Sequence, residues 1–383
     1  MTRDIVLIDP RKRIDINNPG VISRHSLYAK ALSNGKKSEH LRLVVIQPSS
    51  KGNSGMTQIS ANLYVLQIDR FYSKMLFKRN FFKEVNFQYS LNPALLSVGD
   101  PDISFVVAKM FARTFPLLSK KRLPLYVQAH SELDWKLGTS GLIQFLKFSV
   151  AGLAFRSATR IRATSNVHKL QISKLFKVSS EKIDAIPVPL TESSVGNYSI
   201  KFPRPESIAF VGRLHKERNP ELFLNIAAAY CATKPQAKVL IIGDGPKRGE
   251  IETTAKKLSC ANQIEFFGEL DSKALAEIWK KIGVLVSTAT HESYGRSIRE
   301  ALLNGVPVLA MNTLGSRSLA QEAPSNCVEI VEEISDANSL NNAINKLSKL
   351  RMDETYRNAQ LETERNIPNL LVESWLRTIS INV

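Results

Sequence analysis

The feature that most constrains this chain is an alternation, in its C-terminal half, of short apolar runs with helix-length amphipathic stretches. Buried strands of parallel sheets read as continuous apolar, β-branched runs, and helices connect them. Such runs predict strands at 207–211, 238–242, 263–267, 284–287, 307–310 and 327–331. The pattern indicates a doubly wound α/β sheet, whose ligands bind beyond the carboxyl ends of the strands.

The N-terminal half repeats this pattern less clearly and predicts a second Rossmann-like domain. Its candidate strands are 4–8, 41–47, 63–68, 103–107, 125–128 and 161–163. A length of 383 residues suits two domains. Prolines around residues 186–189 and the polar stretch 191–205 have the composition of a linker. We therefore predict domains at 1–190 and 191–365, which would face each other across a cleft.

The net charge of +17 lies entirely in the N-terminal half. Residues 1–190 hold 29 Lys and Arg against 12 Asp and Glu, whereas the remainder is balanced. A basic surface attracts nucleic acid, anionic lipid or an anionic substrate, and composition alone does not choose among them. The three cysteines are too few and too widely spaced for a disulfide framework or a metal knuckle. No stretch is long and apolar enough to cross a bilayer, so we expect a cytoplasmic protein.

Residues 287–310 form the most informative segment. We expect a loop after one strand and then a helix beginning near Tyr294, whose first backbone N–H groups lack partners and suit a phosphate. Gly295 allows the backbone to approach a ligand closely. Glu292 and Glu300 bracket this turn, eight residues apart. Two carboxylates beside an anion-binding helix start suit a ligand with hydroxyls and phosphates, such as a sugar nucleotide.

Glu292-Ser293-Tyr294-Gly295, Glu300-Ala301 and the run from Asn304 to Val308 resemble the signature of glycosyltransferase family 4. The resemblance implies a retaining enzyme of the GT-B fold. It assigns Glu292 a contact to the donor sugar and Glu300 the ribose hydroxyls. It also implies that the backbone around Arg296 and Ser297 faces the donor.

A second stretch, Val211-Gly212-Arg213-Leu214 followed by Arg218, resembles the part of that family that binds the donor diphosphate. Arginine suits bidentate contact with phosphate oxygens and stays charged. The resemblance assigns the diphosphate to Arg213 and Arg218. Arg218 stands where lysine is usual, and its alternative role is a solvated helix-capping charge. By the same resemblance Leu270 contacts the base, whereas the Gly243–Pro246 turn is mostly structural.

In the N-terminal half the resemblance is confined to scattered positions. His130 ends a predicted strand where the family has a histidine that reaches the donor sugar, although a lone histidine is more often structural. Gly20 corresponds to a glycine loop near the donor phosphates. Residues 366–383 resemble the closing helix that crosses back to the N-terminal domain, with Trp375 as its buried anchor. Asp100 and Asp102 spell a metal-binding motif of a different fold, and we interpret it as incidental.

Together these features predict transfer of a sugar from a UDP- or GDP-linked donor to an acceptor hydroxyl. We expect no metal or other cofactor, because the two arginines neutralise the diphosphate. The acceptor would be a glycan or lipid-linked glycan in bacterial cell-surface polysaccharide synthesis. The alternatives are another GT-B enzyme, such as a sugar-nucleotide epimerase, and a non-catalytic basic protein that binds nucleotides or nucleic acid. With the motifs intact, we expect no nucleic-acid partner.

Residues 70–87 combine Arg70, Lys74 and Lys78, spaced four apart, with many aromatic residues. The spacing predicts a basic amphipathic helix. Such a helix would give the basic N-terminal domain a peripheral contact with an anionic membrane. A buried helix with solvated lysines accounts for the spacing equally well.

Overall fold

The computed structural model describes residues 2–11, 19–34, 40–49, 52, 54–77, 80–101, 103–114, 123–130, 141–190, 204–324, 326–332, 337–350 and 354–381. The chain divides into two compact units, one of residues 1–189 with 366–383, the other of residues 190–365. Lys78, Asp102 and residues 191–203 of the predicted linker lie outside the described residues.

The N-terminal unit is built on a sheet of order β3-β4-β2-β1-β5-β6-β7-β8, parallel except for β3. Its strands are β1 (Arg3–Ile8), β2 (Leu41–Pro48), β3 (Gly55–Ser60), β4 (Leu63–Ile68), β5 (Pro93–Val98), β6 (Leu125–Gln128), β7 (Arg160–Ala163) and β8 (Ile183–Ala185). Its helices are α1 (Pro19–Asn34), α2 (Phe71–Phe77), α3 (Phe81–Gln88), α4 (Ile103–Thr114), α5 (Gly141–Ser157) and α6 (Asn166–Phe176).

Successive residues of a strand point to opposite faces, and β1 therefore contributes to two apolar cores. Ile5 and Leu7 belong to one core, with residues of α1, and Val6 and Ile8 to the other, with residues of α4, α5 and α6. Burial on both faces explains why β1 and β2 contain uninterrupted apolar runs, at 5–8 and 43–46.

The C-terminal unit has an all-parallel sheet of order β11-β10-β9-β12-β13-β14. Its strands are β9 (Ser207–Val211), β10 (Lys238–Ile242), β11 (Ile264–Gly268), β12 (Val284–Ser287), β13 (Val308–Met311) and β14 (Val328–Val331). Its helices are α7 (Pro220–Thr233), α8 (Arg248–Ala255), α9 (Ser272–Ile278), α10 (Arg296–Leu303), α11 (Leu314–Glu322) and α12 (Ala337–Ser348). The order reverses between β9 and β12, so the loops after these strands flank the crevice where doubly wound sheets bind ligands.

A last helix, α13 (Glu354–Ser380), begins twelve residues before the predicted closing segment and contributes to both units. Its C-terminal part packs on the N-terminal unit. There Trp375 is 1% exposed and lies edge-on to the rings of Tyr28 and Tyr126. The hydroxyl groups of Ser374 and Tyr126 form a hydrogen bond of 2.9 Å. The predicted anchoring role of Trp375 is confirmed.

All six strands predicted for the C-terminal half are present within one residue at each end. In the N-terminal half the strand predicted at 103–107 is wrong, because this segment begins helix α4. Its buried residues, among them Phe105, Ala108 and Phe111, follow a helical spacing. Strands β3, β5 and β8 were not predicted.

The basic aromatic stretch at 70–87 forms two short helices, α2 and α3, instead of one. Phe71, Met75, Phe81 and Phe82 are buried in the core of the N-terminal unit. Their apolar face is thus occupied within the fold, as in the buried interpretation of this stretch. Among the described residues no helix is both long and apolar enough to span a membrane.

Candidate functional site

Two loops at the carboxyl end of the C-terminal sheet bring together Arg218 and Glu292. Nη1 of Arg218 lies 2.6 Å from Oε1 of Glu292, whose side chain is buried. The loop after β12 is fixed to the segment after β9, because the Thr288 hydroxyl donates to the Arg218 carbonyl at 2.9 Å. Arg218 therefore engages a carboxylate at the crevice rather than acting only as a solvated capping charge.

The turn after β10 holds the loop that carries Arg213 and Arg218. The Leu214 N–H donates to the Asp244 carbonyl at 2.9 Å. A Cβ at Gly243, where φ is +127°, would collide with the Gly212 carbonyl, and one at Gly245 with the Leu214 carbonyl. Only glycine allows these backbones to approach so closely. The predicted structural role of this turn is confirmed.

Gly295 sets the start of α10. It adopts a left-handed conformation, with φ of +72°, and precedes the first helical residue, Arg296. A Cβ there would lie 3.0 Å from Leu319 Cδ1. Ser297 is half-buried in the first turn. Because N–H groups of this turn lack helical partners, the helix start can accept an anion.

Glu300 points to Arg296 one turn earlier in the same helix. Arg296 Nε donates to Glu300 Oε1 at 3.1 Å. Burial raises the pKa of the Glu300 carboxyl, and the charge of Arg296 opposes that shift. The carboxylate is thus held in a position of low solvation, where a hydrogen bond from a ligand hydroxyl replaces little water.

The two ion pairs leave one predicted arginine unneutralised. Arg213 is exposed, and no carboxylate lies within 4 Å of it among the residues the structure describes. The loops after β9 and β12 therefore present a net positive charge. This charge balance suits a phosphate-bearing ligand.

Leu270 follows β11, two residues after Gly268. It is half-buried, and its side chain packs against the apolar cluster that contains Trp279. Its backbone lies at the carboxyl edge of the same sheet as Arg213 and Glu292. The base contact predicted for it stays a prediction.

In the N-terminal unit His130 follows β6. Its Nδ1–H donates to the Gly99 carbonyl at 2.6 Å, so Nδ1 carries the proton and Nε2 is the acceptor of the neutral ring. Burial lowers the pKa of His130, and Asp100, whose Oδ1 is 3.8 Å from Nδ1, opposes that shift. Arg11 lies on the other side of Asp100, at 3.7 Å. The resulting imidazole is neutral near pH 7.

Asp100 is a candidate site residue that the sequence interpretation missed, because only its Asp-Pro-Asp context was considered, as an incidental metal motif. The strand predicted after it was wrong, since Asp100 precedes a helix. Its position at the end of β5, next to β6 in the sheet, is the signal that could have found it. Among the described residues no cluster of three metal-ligating side chains occurs.

Gly20 does not lie in the predicted loop. It is the second residue of α1, and a Cβ there would have nothing within 4 Å. Proline at the first position of a helix is favourable, and Pro19 occupies it here. Nothing in the local geometry requires glycine at position 20.

The fold and the charge pattern define a protein with two Rossmann-like domains and a positively charged crevice in the C-terminal one. Residues 199–365 match the model of the glycosyl transferases group 1 family. The C-terminal unit therefore belongs to the glycosyl transferases group 1, which confirms that its motifs are those of a glycosyltransferase.

A curated relative agrees with this assignment, and solved structures share the fold. A GDP-mannose-dependent alpha-mannosyltransferase of Mycolicibacterium smegmatis is 32% identical over 112 residues, which are 29% of this chain and 27% of that protein. This chain thus matches about a quarter of that relative's length. The lipopolysaccharide outer core galactosyltransferase WaaB aligns over 100% of both chains, with a TM-score of 0.70 and 14% identity.

The structure of HepE from Anabaena in complex with UDP and glucose aligns over 99% of this chain and 97% of its own, with a TM-score of 0.65 and 16% identity. At these identities the likeness shows the fold. The predicted GT-B fold, with two Rossmann-like domains, is confirmed.

Proposed function

We propose that this chain is a glycosyltransferase that moves a sugar from a nucleoside diphosphate sugar to an acceptor hydroxyl, with retention at the anomeric carbon. The observation that carries the proposal is the set of two arginine–glutamate pairs, Arg218 with Glu292 and Arg296 with Glu300, beside the exposed Arg213. The GDP-mannose named for the M. smegmatis relative, and the UDP and glucose named for the HepE complex, support GDP- or UDP-linked sugars. Retention is supported by the family resemblance.

In this proposal Arg213 and Arg218 bind the diphosphate and stabilise the negative charge that grows on it as the sugar departs. Arginine is suited to this role because it stays charged at any pH of interest and binds phosphate oxygens in pairs. These two cations make a cofactor unnecessary to the proposal. Glu300 accepts hydrogen bonds from the ribose, exchanging its Arg296 contact for ligand hydroxyls.

The remaining assigned side chains orient the donor sugar. Glu292 accepts hydrogen bonds from the sugar hydroxyls, and its contact with Arg218 holds the carboxylate in place. His130, assigned to the sugar by the family resemblance, is neutral, so its Nε2 accepts a hydrogen bond. We further propose an acceptor in bacterial cell-surface polysaccharide or lipid-linked glycan synthesis, which the name of WaaB supports.

Thermal unfolding with UDP, GDP, ADP, NAD and a short DNA duplex tests the donor class. A ligand at 100 times its dissociation constant stabilises the native state by about 2.7 kcal/mol. We expect UDP or GDP to raise the midpoint, and Glu300→Ala to reduce that rise. Glu265→Ala, an exposed carboxylate on β11, is the control and keeps it. A rise with DNA alone would contradict the proposal and favour a nucleic-acid-binding protein.

Transfer and retention need an acceptor assay. With the donor identified, the anomeric configuration of the product, read by NMR coupling constants, is expected to equal that of the donor. An inverted product would refute retention while leaving transfer intact. Conversion of the donor without any acceptor would instead indicate an epimerase.

We also propose that the N-terminal unit makes a peripheral contact with an anionic membrane at the inner face of the cytoplasmic membrane. Helices α5 and α6, which contain no acidic residue, support this membrane contact. Phe145, Leu146 and Leu153 are exposed on α5, and Leu170 is exposed on α6. The helices lie side by side, because the ring of Phe176 packs 4.7 Å from Phe148.

Exposed cations flank these apolar side chains, namely Lys147, Arg156 and Lys174. All eleven large apolar side chains that are exposed in the described part of the chain belong to the N-terminal unit. Apolar side chains within a cationic surface are what binds the interface of an anionic bilayer.

Co-sedimentation with phosphatidylglycerol and phosphatidylcholine vesicles tests this contact. We expect binding to phosphatidylglycerol that falls with salt. Phe145→Ser with Leu153→Ser should weaken it about tenfold or more, because two apolar side chains no longer insert. Phe87→Ser, at an equally apolar residue that is 88% exposed on α3, is the control. Unchanged vesicle binding in the double variant refutes this surface.

A further inference from the structure

Arg299 is a buried cation in α10, directly before Glu300, where an aliphatic residue would pack without desolvating a charge. Its side chain is 6% exposed, and its guanidinium contacts three elements. It lies 4.7 Å from the centroid of the Tyr294 ring. Nη2 is 3.0 Å from Glu322 Oε2 in α11, and Nη1 is 3.9 Å from Glu364 Oε1 in α13. A buried charge is costly unless it is paired, and these carboxylates pair it.

Glu364 connects Arg299 to the chain segments that join the two units. Its second oxygen, Oε2, accepts the Leu190 N–H at 3.0 Å. The chain passes between the units at 189–190 and again at 365–366. Both connections are therefore joined to each other by one buried carboxylate of the C-terminal unit.

The Arg299 guanidinium also contacts the loop after β12, which carries the candidate donor residue Glu292. Tyr294 lies between Glu292 and Gly295, and it is buried under the Arg299 guanidinium. A continuous set of contacts thus runs from the loop through Arg299 and Glu364 to Leu190. Such a set is a route for coupling when both of its ends respond to one ligand.

We propose that Arg299 and Glu364 are positioning residues that couple donor occupancy of the Glu292–Glu300 segment to the two connections between the units. The inference rests on the proposed donor-binding function. A ligand that orders Tyr294 strengthens the Arg299–Glu364–Leu190 contacts. By reciprocity, loosening these contacts weakens nucleotide binding, although neither residue touches the nucleotide.

The affinity test is titration calorimetry of the full chain with UDP and with GDP. Glu364→Gln keeps an oxygen for the Leu190 N–H but removes the charge that faces Arg299. We expect it to weaken nucleotide binding about 2- to 30-fold. Glu362→Gln, an exposed residue of the same helix, is the matched control and should bind like the wild type.

A double-substitution cycle separates coupling from two independent losses. Arg299→Lys keeps the charge but loses the planar fork, and it should weaken binding as well. If Arg299 and Glu364 act through the same set of contacts, the double variant should bind nucleotide no more weakly than the weaker-binding single variant. Losses that multiply would overturn the proposal. If Glu364→Gln fails to fold, Arg299→Lys alone tests the proposal, and wild-type nucleotide affinity in that variant would overturn it.

Hydrogen exchange at Leu190 distinguishes coupling through Glu364 from a merely structural role of that residue. Residues 187 and 189 are prolines without an N–H, so a fragment over 187–190 reports only Val188 and Leu190. Nucleotide should slow exchange at Leu190 in the wild type and not in Glu364→Gln. If the wild type binds neither UDP nor GDP, the donor-binding function fails. If it binds but Leu190 exchange and the Glu364→Gln affinity are unchanged, only the coupling fails.

Discussion

Gly295 and Gly20 offer a matched test of the backbone argument, since both are glycines at a helix start and both are candidate donor contacts. Gly295 has φ of +72°, whereas Gly20 is helical with open space around its missing Cβ. A side chain in the left-handed region costs about 1–2 kcal/mol. The contact with Leu319 Cδ1 at 3.0 Å adds to that cost. Alanine in place of a helical glycine gains up to about 1 kcal/mol.

Gly295→Ala should therefore lower the midpoint of the C-terminal unit by about 2–8 °C, whereas Gly20→Ala should leave the N-terminal unit unchanged or slightly more stable. Scanning calorimetry measures both, and the transition that UDP or GDP raises identifies the C-terminal unit. Gly295→Ala should also weaken nucleotide binding, because the first turn of α10 shifts. The backbone reasoning fails if Gly295→Ala melts like the wild type, or if Gly20→Ala is the more damaging change.

Three further predictions concern single side chains. Burial raises the pKa of Glu300, so ionisation of this carboxyl destabilises the fold as pH rises from about 4.5 through the raised pKa. Glu300→Gln should therefore unfold at a higher temperature than the wild type at pH 7. An equal unfolding midpoint would contradict this. An NMR titration should give His130 a pKa below 6.5, with Asp100→Asn lowering it further, and an upward shift in the variant would refute the pairing. Trp375→Ala should cost about 3–5 kcal/mol in urea unfolding of the N-terminal unit, and a loss below 1 kcal/mol would mean that its core forms without α13.

The C-terminal fold could be predicted because its four inner strands are buried on both faces and therefore have an unambiguous apolar signal. The segment at 103–107 had the same signal, but a short apolar run does not distinguish a strand from a buried helix. β3 was missed for the opposite reason, since it is an antiparallel edge strand with polar residues and no fully buried side chain. β8 has only three residues and offers no period to detect.

Among the candidate site residues, Glu292, Glu300 and Arg213 could be predicted because their local motifs also set their backbone geometry. The role of Arg299 could not be predicted, since no neighbouring residue in the sequence indicates that this charged side chain is buried. Its partners come from α11 and α13, and only the folded chain brings them together. The same holds for Asp100, whose partner His130 follows a neighbouring strand.

The division of the chain has a consequence for its synthesis. The N-terminal unit is completed by residues 366–383, which are synthesised after the entire C-terminal unit. Until then the surface that receives Trp375, formed in part by Tyr28 and Tyr126, has no cover. The nascent chain must therefore carry an unfinished apolar core while a second domain folds beside it, which exposes it to chaperones and to aggregation. Premature termination near residue 365 would leave that core open for good, even with every donor-site motif translated.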